Sequence, residues 1–365
     1  MNKVVFIINS IQQQRCIKRI EDFIEHGYDV KVYGFSRKTV IHTIPVNFEI
    51  EIVHSIDNGS RYLVRLVQIF KALRAIFKTH RNERVMFYYF ALDIAMISTL
   101  LNKRPYIYEE SDLTHTSQPG LVKSILELID KRIIRNSIET VFTSGGFGIY
   151  HFGNSLPDNI SIIPNRLNRK ILEFNGLPKI VPVPDRLRIG FVGGARYHSV
   201  LNFASVFSGQ YPQNEFHFFG NPINKTAFDV LKKFPNVFFH GPFRNPHDLP
   251  DIYASIDLVL STYDVSKVNV RYAEPNKIYE AMFFETPIIV SKGTFLSDKV
   301  EKLGIGFSID PLNNKQIVDF IDGLTHEQIG EKINNCKKIP KVESIDNNLP
   351  FFKKLYENTV DSSIL

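Results

Sequence analysis

Signals for disulfides, secretion and membrane spans are all scarce in this 365-residue chain. Only Cys16 and Cys336 are cysteines. No disulfide framework is indicated, which accords with a reducing, cytoplasmic location. The apolar run after Met1-Asn2-Lys3 stops at residue 8 with no cleavage site behind it, so no secretory leader is expected. Residues 85–101 imitate a membrane span, but the segment is short and carries Asp93 at its centre. A buried strand followed by a buried helix accounts for it better. Low-complexity segments and short repeats are missing. So are several motifs. No G-x-G-x-x-G follows the first strand, where Asn9-Ser10-Ile11-Gln12-Gln13-Gln14 stands instead, and this argues against NAD or FAD. There is no D-x-D pair for a metal-held diphosphate, no H-E-x-x-H, no C-x-x-C, no Walker lysine motif and no G-x-S-x-G.

What is present reads as a soluble globular α/β protein of two domains. The net charge of +6 and the isoelectric point near 9.0 allow an anionic partner without selecting one, and no nucleic-acid partner is expected. Residues 4–8 form a continuous apolar run, the form of a buried parallel strand. Asn9-Ser10 is the expected cap of the next helix, Gly27 its end, and residues 28–33 alternate like a second strand. Strand, helix, strand is a Rossmann opening. Residues 61–81 predict an amphipathic helix whose Arg61, Arg65, Lys71, Arg74, Lys78 and Arg81 are basic, with no acid between Asp57 and Glu83. Such a helix can lie on an anionic membrane, or pack on a sheet with a basic outer face.

After the strand at 105–109, Glu110-Ser111-Asp112-Leu113-Thr114-His115 is expected to leave the carboxyl end, which faces the ligand crevice in open α/β sheets. Glu110 and Asp112 are candidates for a base or for acceptor contacts; capping the next helix is the alternative. A Pro-rich stretch, 171–186, reads as a linker between a first domain, 1–170, and a second, 187–345. The second opens with a strand and the turn Gly193-Gly194-Ala195-Arg196, where glycines let backbone approach a phosphate and Arg196 can pair with it.

The most informative stretch is Glu274-Pro275-Asn276-Lys277-Ile278-Tyr279-Glu280, running into the apolar strand around 288–291. Pro275 fits a first helical turn, and Asn276, Lys277 and Glu280 share a helix face. A carboxylate there can grip two vicinal hydroxyls while the ammonium and helix N–H groups hold a phosphate, the pattern of a ribose diphosphate. An ordinary packed helix with a solvated Glu–Lys pair would show the same residues.

This stretch resembles the P-N-K-x-x-E donor signature of bacterial family 4 glycosyltransferases. The resemblance implies the GT-B architecture: two facing Rossmann-like domains with an interdomain cleft, and a terminal helix, 346–365, crossing back to the first domain. It implies that Glu280 binds the donor ribose. Tyr272 stands where the family has a second Glu, and Glu274 two residues later is the candidate sugar-binding or catalytic carboxylate. Ser111 replaces the His of a frequent His-Asp pair, leaving Asp112. The implied function is sugar transfer, with retention, from a UDP- or GDP-linked nucleotide sugar to a glycan or lipid-linked acceptor in surface polysaccharide biosynthesis. No metal cofactor is implied: donor-side Gly193, Gly194, Arg196, Asn276, Lys277, Glu280 and Tyr272 stabilise the leaving diphosphate. The expected location is cytoplasmic, peripheral on the inner membrane face through residues 61–81. A nucleotide-sugar 2-epimerase and a non-catalytic GT-B binding protein are the alternatives.

Overall fold

The computed structural model describes residues 2–11, 13–37, 46–56, 62–174, 186–221 and 225–361. Gln12, Arg61 and most of the expected linker (175–185) lie outside the described residues. The chain divides into two compact units, Met1–Pro164 with Asn347–Leu365, and Asn165–Asp346.

The first unit carries a parallel sheet of seven strands: β1 (Lys3–Ile8), β2 (Asp29–Arg37), β3 (Ile50–Ile56), β4 (Met86–Phe90), β5 (Tyr106–Glu110), β6 (Glu139–Phe142) and β7 (Ile160–Ile162). Their spatial order is 3-2-1-4-5-6-7. Its helices are α1 (Gln14–Glu25), α2 (Tyr62–Thr79), α3 (Leu92–Leu101), α4 (Gly120–Asn136) and α5 (Gly145–Phe152). The order reverses between β1 and β4, the switch point at which α/β sheets bind ligands.

The second unit has six parallel strands: β8 (Arg188–Val192), β9 (Glu215–Phe219), β10 (Val237–Gly241), β11 (Leu258–Ser261), β12 (Ile288–Ser291) and β13 (Gly306–Ile309), ordered 10-9-8-11-12-13. The helices between and after them are α6 (His198–Gln210), α7 (Lys225–Leu231), α8 (Leu249–Ala254), α9 (Val268–Tyr272), α10 (Lys277–Phe283), α11 (Phe295–Leu303), α12 (Asn314–Asp322) and α13 (His326–Lys338). A last helix, α14 (Leu349–Asp361), belongs to the first unit.

Apolar runs become strands here because both sheet faces are covered. In β11 and β12, Val259, Ile288 and Val290 face one core, while Leu258, Leu260 and Ile289 face the other. Residues 85–101 resolve into the fully buried β4 and the helix α3, separated by Ala91. No helix among the described residues is long and apolar enough to cross a membrane.

Two local expectations are corrected. Asn9-Ser10 does not cap α1; the helix starts at Gln14 with Gln13 as N-cap. The chain continues past β1 because the Ile11 N–H donates to the Phe35 carbonyl (3.2 Å), holding those residues against the end of β2. Pro275 likewise lies outside its helix, because α10 begins at Lys277 with Asn276 as N-cap.

The terminal helix is held to the first unit by aromatic packing and charge. Phe352 is 5% exposed and its ring lies 4.9 Å from Phe23 and 3.7 Å from His26. The Lys354 ammonium donates to the buried Glu139 carboxylate at 2.6 Å. Phe352→Ala is therefore expected to destabilise the first unit by about 3–5 kcal/mol. Tyr356→Ala, at a 67% exposed position, should stay within about 0.5 kcal/mol. Chemical denaturation of the full chain measures both.

Candidate functional site

In the second unit, two glycines and a lysine meet at the end of β8. Gly193 has φ +125° and its N–H donates to the Phe219 carbonyl at 2.7 Å. Gly220, at the end of β9, has φ +129°, and a Cβ there would lie 2.4 Å from the Gly193 carbonyl oxygen. Only glycine permits this backbone-on-backbone approach. A Cβ on Gly193 itself would stand 3.5 Å from the Lys277 ammonium. The structure thus brings together Gly193 and Lys277, which are 84 residues apart in sequence (277 − 193).

Lys277 is 8% exposed, and its ammonium lies 4.9 Å from the Phe191 ring and 5.9 Å from the Tyr263 ring. It donates to the Tyr263 hydroxyl at 3.4 Å. No described carboxylate comes within 4.0 Å of it. A buried cation held by ring faces and a hydroxyl, beside a glycine turn, is suited to an incoming anion. Arg196 sits further out on the same turn, exposed, 5.5 Å from the Tyr197 ring. Gly194 is exposed beside it.

The first turn of α10 contributes less than its sequence promises. The N–H groups of Ile278 and Tyr279 close on the carbonyls of Pro275 and Asn276, at 3.4 and 2.9 Å. Few free N–H groups remain there, so the positive charge in this corner comes mainly from the Lys277 side chain. At α6, the Ser199 N–H is taken by the Asp264 carboxylate at 2.9 Å.

Glu280 is 2% exposed and oriented from two sides. The Tyr253 hydroxyl donates to one carboxylate oxygen at 2.6 Å, and the Asn276 amide to the other at 2.7 Å. Burial raises the Glu280 pKa above the ordinary carboxylate value, against the opposing pull of Lys277 and Tyr253. Glu274 is held elsewhere. It accepts from the Lys299 ammonium at 2.6 Å and from the Tyr279 hydroxyl. Tyr272 is half-buried at the end of α9, a short helix between β11 and α10. Sequence reasoning missed Tyr253, Tyr279 and Lys299; their only local signal is polar tips on otherwise apolar helix faces.

In the first unit a cavity of about 440 Å³ opens at the carboxyl ends of β1, β4 and β5. Asn9, Gln13, Arg15, Arg65, Asp93 and Asp112 contribute to its lining. Ala91 lies in its wall with φ +72°, a conformation that L residues rarely adopt and that concentrates at functional sites. Arg65 is bound to Asp93, so it points to the cavity rather than to an outer basic face. The Asp112 side chain is 51% exposed, with Arg15 3.6 Å away.

Glu110 differs from its expected place. It is the last residue of β5 rather than a loop residue, and it is 1% exposed. It neither caps a helix nor lines the cavity. The His151 Nε2 lies 2.9 Å from its carboxylate. Burial and the neighbouring Asp130 push Glu110 well above the ordinary carboxylate range, while burial lowers His151 to about 4.

No protein-family model matches the chain. It is similar to the succinoglycan biosynthesis protein ExoL of Rhizobium meliloti, 24% identical over 250 residues. The match covers 64% of this chain and 61% of ExoL, less than two thirds of that relative's length. Among solved structures, sucrose-phosphate synthase from Thermosynechococcus elongatus aligns with TM-score 0.70 at 14% identity, covering 99% of this chain and all of its own. HepE of Anabaena, solved with UDP and glucose, aligns over the whole of both chains with TM-score 0.65 at 16% identity. WaaG, a glycosyltransferase of lipopolysaccharide biosynthesis, aligns over 92% of this chain with TM-score 0.61 at 15% identity. The fold is therefore α/β of the GT-B glycosyltransferase type.

Glu274 and Lys299 form a largely buried pair whose stabilising role can be separated from any role in chemistry. Lys299→Met should lower stability by about 1–3 kcal/mol, because it leaves the Glu274 carboxylate with the Tyr279 hydroxyl alone. Adding Glu274→Gln should recover part of that loss. A double-mutant cycle by chemical denaturation reads the coupling.

Proposed function

We propose that the chain is a glycosyltransferase that moves a sugar from a nucleotide-sugar donor to a glycan or lipid-linked acceptor, in polysaccharide biosynthesis. The observation that carries the reading is the buried Lys277 ammonium beside Gly193, with no described carboxylate within 4.0 Å of it, on the same helix as an oriented Glu280. The GT-B fold, the UDP and glucose bound by HepE and the succinoglycan role in ExoL's name support it. In this reading Lys277, with Arg196 on the outer part of the turn, neutralises the leaving diphosphate without a metal, and Gly193 and Gly194 admit it to the backbone. Glu280, fixed by Tyr253 and Asn276, accepts hydrogen bonds from the donor ribose. The donor is UDP- or GDP-linked, and transfer proceeds with retention, as the family 4 resemblance implies.

The acceptor side falls to the cavity of the first unit. Asp112 is the sequence-nominated carboxylate with exposed oxygens there, and Arg15 positions it. Glu110 is sealed away, so we assign it no contact with the acceptor. Glu274 and Tyr272 remain proposed neighbours of the donor sugar.

A location at the inner membrane face also belongs to this reading. Val64, Val67 and Phe70 on α2 are 47%, 53% and 42% exposed, and Leu121 and Leu128 on α4 are 77% and 69% exposed. Lys71, Arg74 and Lys78 are exposed on the same α2. Apolar side chains beside cations suit an anionic lipid surface, which would also present a lipid-linked acceptor.

Two measurements test the proposal. In calorimetry, Glu280→Gln should weaken UDP or GDP by about 1–3 kcal/mol. The wild-type affinity should fall on acidification through the raised Glu280 pKa, because only the ionised carboxylate accepts both hydroxyls; the variant should lose that dependence. Asp112→Asn should instead lower turnover, scored on a panel of nucleotide sugars and acceptors, and leave nucleotide affinity near wild type. Unchanged nucleotide binding in Glu280→Gln sinks the ribose role. Separately, vesicle sedimentation should show binding that needs anionic lipid, falls with salt and drops when Lys71, Arg74 and Lys78 become Gln. Binding indifferent to that triple change removes α2 from the membrane contact.

A further inference from the structure

Beside the cavity of the first unit, four side chains from four elements are buried together, His115 being one of the residues that line the cavity. Glu110 ends β5, Asp130 comes from α4, His151 from α5, and His115 from the 3-10 turn Thr114–Ser117. Glu110 and His115 are 1% exposed, Asp130 is 0% exposed, and the His151 side chain is likewise 0% exposed. The His151 Nε2 lies 2.9 Å from Glu110 Oε2 and 4.0 Å from Asp130 Oδ2. The His115 Nδ1 lies 3.2 Å from that same Asp130 oxygen.

Most of these polar atoms lack a well-formed hydrogen bond. Both Asp130 oxygens, both His115 nitrogens, Glu110 Oε1 and His151 Nδ1 are buried without one of acceptable geometry. Tyr108, the other polar neighbour of Asp130, also has an unsatisfied hydroxyl. No described Lys or Arg comes within 4.0 Å of either carboxylate. Two carboxylates have thus been taken out of water against each other, two imidazoles and the Tyr108 hydroxyl, a poor compensation for buried charge.

We propose that Glu110, Asp130 and His151 form a buried site for a divalent zinc-class cation, with His115 holding the Asp130 carboxylate from outside. One imidazole and two carboxylates are a ligand set zinc accepts, and a second carboxylate oxygen or a water completes four-coordination. Ligand atoms about 2.0–2.1 Å from a tetrahedral zinc stand about 3.4 Å from one another. The His151–Glu110 and His151–Asp130 separations of 2.9 and 4.0 Å bracket that edge, and the three ligand atoms all lie within 4.8 Å of one another. The ion also supplies the two positive charges that the carboxylates lack. It would tie β5, α4 and α5 together and, through the His115–Asp130 contact, steady the 3-10 turn that follows Asp112. The missing D-x-D pair concerns a diphosphate in the other unit and does not bear on this cluster. Nor does the inference depend on sugar transfer.

The test uses the full chain, without a histidine tag, stripped with EDTA and then titrated with zinc chloride alone. Bound zinc is read by mass spectrometry of the gel-filtered protein, and thermal unfolding is followed in parallel. One zinc per chain and a raised Tm are expected. Asp130→Asn should retain no zinc; Glu110→Gln, which keeps side-chain volume, should bind at least ~10-fold more weakly. His240→Gln, which breaks the His217–His240 contact on β9 and β10, should bind as wild type does. Zinc well below one per chain with an unmoved Tm overturns the site. So does full retention in Glu110→Gln, or loss in His240→Gln. If Asp130→Asn does not fold, Glu110→Gln and the wild-type stoichiometry still decide.

Discussion

A lysine ammonium in the second unit sits against two aromatic rings, a tyrosine hydroxyl and a glycine carbonyl turn, with water largely excluded. Burying a cation without a counter-charge is unfavourable, and the surrounding structure has to hold it there. Several features follow from that requirement. Positions 193 and 220 favour glycine because both hold a positive φ and because a Cβ on Gly220 would strike the Gly193 carbonyl where the ends of β8 and β9 close on each other. Tyr263 must reach across from the loop after β11. The parallel order 10-9-8-11-12-13 places those loops at one end of the sheet, which is why residues so distant in sequence share one corner.

Carboxylates in the same chain are handled in four different ways. Glu280 is buried but oriented by two neutral donors, so its charge stays available to a ligand. Glu274 is matched by Lys299 and Tyr279 and is thereby committed to holding α10 against α11. Glu110 and Asp130 are withdrawn from water among histidines, where either protons or a cation must balance them. Asp112 alone of the first unit's nominated acids keeps its oxygens exposed.

The first unit adds strain to this division. Ala91 holds a positive φ where β4 gives way to α3, and its N–H is tied to the Glu109 carbonyl at 3.2 Å. Glu109 in turn anchors Arg19 and Tyr88 in the interior. The cavity wall is thus braced by a buried network rather than left to loop geometry, and Asp93 and Arg65 face the cavity from helices on one side of the sheet.

Much of this was determined by the chain's local pattern. Continuous apolar runs became parallel strands because a strand buried on both faces tolerates nothing else, and residues 85–101 split into strand and helix because Asp93 cannot sit in a membrane core. The spacing of Asn276 and Glu280, four residues apart, brought the amide of one to the carboxylate of the other. Tertiary structure alone decided what each polar group does. Lys299 meets Glu274 across 25 residues, Tyr253 meets Glu280 across 27, and His151 meets Glu110 across 41. Those partners share no local period. Whether a carboxylate is exposed, paired or sealed depends on which elements the sheet order packs over it, and a change in dielectric surroundings moves its charge state more than any neighbour in sequence can.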